Sequence, residues 1–134
     1  MGYDQQGHCP MFRDGACSIY EHRPRTCRTY DCRVFPAAGV EPDGRPRITE
    51  RVRHWRFDVS GPEDSTLQSA VKAAAAYLRT NAGALPPGTV PSNPTQLAYL
   101  AVRIRDLFLE RSAGGDLRVV APALDTVASA LSAP

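Results

Sequence analysis

Apolar residues recur at helical spacing in the second half of the chain and hardly at all in the first. Leu67, Ala70, Val71, Ala74 and Leu78 fall at i, i+3, i+4, i+7 and i+11, one face of an amphipathic helix. Ser60-Gly61-Pro62-Glu63 ahead of them reads as a capping box with proline near the start, and Asn81 and Gly83 are stop residues. "ALPPGTVPS" then breaks the pattern and reads as a loop. Asn93-Pro94-Thr95-Gln96 combines an N-cap, a proline at the first helical position and a glutamine at the third. The stripe behind it is Leu97, Leu100, Ala101, Ile104, Leu107 and Phe108, and Gly114-Gly115 ends it. This predicts an antiparallel helix pair over about 63–81 and 94–112. A strand-like "LRVV" follows, and Leu124, Val127, Ala128 and Leu131 predict a last short helix packed on the pair.

The first half lacks a sustained period. "CSIYEHRP" fits a short helix or turn that must stop before Pro24. "RITERVRHWRFDVS", with apolar points at Ile48, Val52, Trp55 and Phe57, fits a strand or a short helix equally well. The shift near residue 58 separates a cysteine- and arginine-rich segment, 1–57, from a helical region, 58–134, within what its length makes one compact domain. The expected fold is mainly α, with a small metal-binding, cysteine-rich N-terminal loop region packed on an antiparallel helical core.

Composition adds little to this, and charge adds its distribution. Residues 1–57 carry ten arginines against seven acidic side chains, whereas 58–134 carry six basic against seven acidic. No apolar run approaches the ~18 residues of a membrane span. "MGYDQQGHCP" has neither the basic n-region nor the apolar h-region of a secretory signal. The expectation is a cytoplasmic protein without a membrane partner. Thiols there stay reduced and, when clustered, more often bind metal or do redox chemistry than form disulfides.

All four cysteines lie in the first 32 residues, spaced Cys9-x7-Cys17-x9-Cys27-x4-Cys32. Four thiolates satisfy a tetrahedral zinc or an iron–sulfur cluster. The spacing is neither the paired C-x2-C of a zinc ribbon nor a ferredoxin run. Cys9-Pro10 and Gly15 supply sharp turns, and Arg23, Arg25, Arg28 and Arg33 offset the charge of a thiolate-ligated centre. His8 and His22 are substitute ligands or solvated histidines. Disulfides, or small buried apolar residues, are the competing readings of the four cysteines.

"HCPMFRDGACSIYEHRPRTCRTYDC" resembles the zinc- or iron-chelating cysteine-cluster family, the YkgJ-like or CxxCxxCC type. Cys9-Pro10-Met11-Phe12 matches the first part of its motif, Cys17-Ser18-Ile19-Tyr20-Glu21 and Arg23-Pro24 the second, and Cys27-Arg28 closes it. The match covers residues 8–33. The family's earlier CxxCxxCC cluster has no counterpart in this sequence. The resemblance implies a metal centre, zinc or iron–sulfur, on Cys9, Cys17, Cys27 and Cys32, with Arg23-Pro24 fixing the loop between two ligands. The family includes flagellin lysine N-methylases, with an implied iron–sulfur centre, but no glycine-rich cofactor loop supports methyl transfer in this chain.

Two other functions compete. "RPRITERVRHWR", residues 45–56, holds five arginines, one glutamate, His54 and Trp55. It reads either as a nucleic-acid surface, with basic side chains on phosphate and Trp55 on a base, or as a solvated basic edge beside a core tryptophan. A redox or methyl-transfer accessory enzyme is the third reading. No nucleophile–base motif accompanies His8, His22 and His54, so a non-enzymatic metal-binding protein, with a protein partner to be found, is the favoured expectation.

Overall fold

Burial follows the two apolar stripes of the second half. The structure, a computed structural model, describes residues 9–25, 33–42 and 46–133, and the chain divides into two units, residues 1–31 and 32–134. The first unit holds the short strands β1 (Phe12–Arg13) and β2 (Ala16–Cys17) and a 3-10 turn, Tyr20–His22. The second holds helices α1 (Val34–Ala38), α2 (Pro46–His54), α3 (Pro62–Asn81), α4 (Pro94–Ile104) and α5 (Leu124–Ser132). It also holds strands β3 (Leu109–Arg111) and β4 (Leu117–Val119). The protein is thus mainly helical, with two antiparallel two-stranded sheets, β1–β2 and β3–β4, among the described residues. No described helix is long and apolar enough to cross a membrane.

Helix α3 begins at Pro62, where a missing N–H costs nothing. The expected capping box takes another form: Gly61 is the N-cap and Ser60 Oγ donates to Asp64 Oδ2 at 2.6 Å. Glu63 and Asp64 place negative charge on the amide end of the helix, where it is favourable. The buried face is Ala70, Val71, Ala74, Ala75 and Leu78. In α4 the cap is as read from the sequence, with Asn93 Oδ1 accepting from the Gln96 N–H at 3.1 Å. Asn93→Ala is expected to cost about 1 kcal/mol. A melting temperature lowered by a few degrees would register it. The inner face is Leu97, Ala98, Ala101 and Ile104. Alanines on both helices let them pack closely: Ala70, Ala74, Ala75, Ala98 and Ala101 are each fully buried.

The second predicted helix is shorter than its stripe. It stops at Ile104, passes through a 3-10 turn, Arg105–Phe108, and Leu109–Arg111 then pairs with Leu117–Val119. Phe108 still reaches the core, its ring edge-on to Tyr77 at 5.4 Å. The ladder satisfies the backbone groups that a continued helix would have satisfied. Gly115, at φ 87°, serves the hairpin loop rather than a helix end. Glu110 and Arg118 pair across the ladder, and Arg111 reaches Glu63 at the start of α3 at 2.8 Å.

Helix α1 carries no periodic signal, being five residues long with a proline inside it. Pro36 is tolerated because it lies in the first turn, where N–H groups have no helical partner. Gly39 closes the helix in the left-handed conformation, φ 66°, and donates to the Phe35 carbonyl. Despite its size, α1 packs against both α3 and α4 and contributes Val34, Phe35 and Ala38 to the core. The loosely alternating 47–60 segment resolves into helix α2 up to His54, with Val52 its buried residue, followed by an extended stretch. The described core runs from Val34 to Val127. The composition shift near residue 58 therefore falls inside the second unit.

Candidate metal centre

A two-residue turn organises the first two cysteines. Asp14 and Gly15 both take positive φ, 50° and 81°, as a type I′ hairpin turn requires. Cys17 pairs in register with Phe12, and Ala16 with Arg13. The Ser18 N–H donates to the Met11 carbonyl at 2.7 Å, and the Phe12 N–H to the Cys9 carbonyl at 2.9 Å. Two short links therefore separate Cys9 from Cys17: a turn under ~7 Å between Cα atoms and a cross-strand pair of about 5 Å. Both side chains are half-buried. Asp14-Gly15 is the sequence signal for this hairpin, whereas the expectation rested on Gly15 alone as a turn. A methyl at Gly15 meets no atom within 4 Å. Gly15→Ala therefore acts through backbone strain of about 1–2 kcal/mol. Faster amide hydrogen exchange at Phe12 and Ser18 is the expected outcome.

Cys27 and Cys32 lie outside the described residues, as do His8 and Arg28. Among the described residues, no three His, Cys, Asp or Glu side chains gather where they could hold a metal ion. Two of the four named donors are thus placed, by one hairpin. His22 is exposed at the end of the 3-10 turn, its N–H donating to the Ile19 carbonyl at 2.9 Å. Arg23 then turns extended, ψ 138°, as the residue before a proline prefers. Its guanidinium carbon lies 3.8 Å from the centre of the exposed Tyr20 ring, a cation–π contact. The Arg23-Pro24 pair thus ends the turn and stiffens the stretch after Cys17.

The basic stretch is a helix followed by exposed aromatics. Arg53 Nε donates to Glu41 Oε1 at 3.0 Å, and that hydrogen bond with the carboxylate's charge raises its pKa. Both side chains are exposed, so the pair adds little stability. His54 Nδ1 donates to the Glu50 carbonyl at 2.8 Å, which holds the ring on its own helix. Arg56 turns back, one Nη donating to the Arg53 and Trp55 carbonyls at 2.7 and 2.8 Å. Trp55 is not a core residue: 42% of it is exposed, with Phe57 edge-on at 6.2 Å. An open cleft of about 470 Å³ lies beside them, lined also by Val40, Val52, Gln68 and Lys72.

Comparison with protein-family models, with curated proteins and with solved structures returned no match.

Proposed function

We propose that this is a metal-binding protein in which Cys9, Cys17, Cys27 and Cys32 hold one zinc ion or one iron–sulfur cluster. The observation that carries the reading is the cysteine motif itself: four thiols within 24 residues, joined by turns and prolines. The β1–β2 hairpin supports it by returning Cys17 to Phe12, which is one hydrogen-bonded turn from Cys9. Soft thiolates suit zinc and iron–sulfur centres over hard cations. When bound, the metal supplies either a fixed cross-link or, as a cluster, a one-electron redox couple. The residues of the chain do the rest. The Asp14-Gly15 turn and the Arg23-Pro24 break shape the loop, and Arg23 and its neighbouring arginines lower the cost of gathering thiolate charge.

Thiol accessibility tests this. In protein purified without air, all four cysteines are expected to resist alkylation until a chelator or denaturant is added. Four thiols that alkylate at the rate of free cysteine in the untreated protein would contradict it.

A further inference from the structure

The extended stretch after α2 leaves Trp55, Phe57 and Val59 exposed by 42%, 38% and 44%. Three large, partly exposed apolar side chains within five residues are the kind of clustering that marks an interaction surface. Trp55, Phe57, Arg56 and Lys72 all line the 470 Å³ cleft. Glu41, the carboxylate in that lining, is engaged by Arg53 at 3.0 Å. Lys72, Arg56 and, four residues before Trp55, Arg51 make no ion pair among the described residues. The cleft thus offers two partly exposed aromatic side chains, set edge to face, beside the positive charge of Lys72 and Arg56. Outside the cleft, α2 adds Arg47 and Arg51 against one acidic residue, Glu50, while Arg53 is held by Glu41; the net positive charge suits a polyanion more than a small anion.

We propose that this face binds single-stranded nucleic acid, one base packing against Trp55 and adjoining phosphates meeting Lys72, Arg56 and Arg51. Bases stack on aromatic side chains irrespective of sequence, and basic residues follow the backbone. A duplex hides its base faces and would leave Trp55 unused. The proposal is independent of the cysteine centre, since every residue it invokes lies in the unit formed by residues 32–134.

Trp55 is the only tryptophan, so its fluorescence reports the site directly. The full chain would be titrated with a fluorescein-labelled oligo(dT) of about 12 nucleotides, followed by anisotropy, and with the unlabelled strand, followed by Trp55 emission. Saturable binding with quenching is expected. With two or three phosphates neutralised, affinity should fall about tenfold between roughly 50 and 200 mM salt. Trp55→Ala should weaken binding about tenfold or more, with Trp55→Phe recovering part of the loss. Lys72→Gln should weaken binding and flatten the salt dependence. Both residues lie outside the buried core, and circular dichroism of each variant checks that the fold is retained. No anisotropy change at the lowest salt would overturn the proposal. So would Trp55→Ala and Lys72→Gln binding like the parent, a duplex binding as tightly as the single strand, or dTMP alone binding as tightly as the oligomer.

Discussion

Cys27→Ser is expected to abolish stoichiometric metal binding while leaving most of the helical circular dichroism. A tetrahedral centre that loses one of four thiolates loses its closed shell, and metal binding is linked to the order of the loop that supplies the ligands. The first ~35 residues have few periodic apolar positions, so without metal this segment should be cleaved first by protease. The helices should survive, because the described buried apolar residues all lie at or beyond Val34 and form one continuous cluster. Limited proteolysis with mass mapping, alongside metal analysis, reads both halves of this outcome. Unchanged metal content and cleavage would mean that Cys27 is not a ligand. Loss of the whole helical signal would mean that the cysteine loop is part of the helical core's stability.

Phe35→Ala is expected to be the most damaging single change in the helical unit. Phe35 is 1% exposed, and α1 packs on both α3 and α4. Truncating a buried phenylalanine typically costs about 3–5 kcal/mol, from lost transfer energy and the cavity left behind. Domains of this size are stable by only about 5–15 kcal/mol in total. A large drop in the urea midpoint is therefore expected, with the slope of the transition unchanged. Phe35→Leu, which retains most of the volume, should recover much of the loss. A midpoint unaffected by Phe35→Ala would mean that α1 is not integral to the core.

The legible parts of the fold were those with enough turns to show a period. The stripes of α3 and α4 run for three turns or more, and their buried residues are nearly those the spacing picks out. Helix α1 is shorter than two turns, so Phe35 has no periodic partner in the sequence and its burial comes from tertiary packing alone. The end of α4 misled because Leu107 and Phe108 continue the apolar face after the backbone has left the helix. A three-residue strand such as Leu109–Arg111 carries too little alternation to compete with that signal. In the cysteine segment the thiols and their spacing are visible in the sequence, and the turn that leads back to Cys17 is present there as Asp14-Gly15. Trp55 could not be placed from the sequence. A tryptophan beside arginines fits a core edge or an open cleft, and the choice depends on what packs over it.

If the four cysteines share one metal centre, X-ray absorption at the metal edge of protein purified without air will show it. A colourless sample is expected to show about one zinc per chain with a shell of four sulfurs at ~2.3 Å. A brown sample is expected to show iron in the sulfur environment of a thiolate-ligated cluster. A metal shell dominated by nitrogen or oxygen, or protein that contains no metal and takes up neither zinc nor iron and sulfide when they are supplied, would contradict the account.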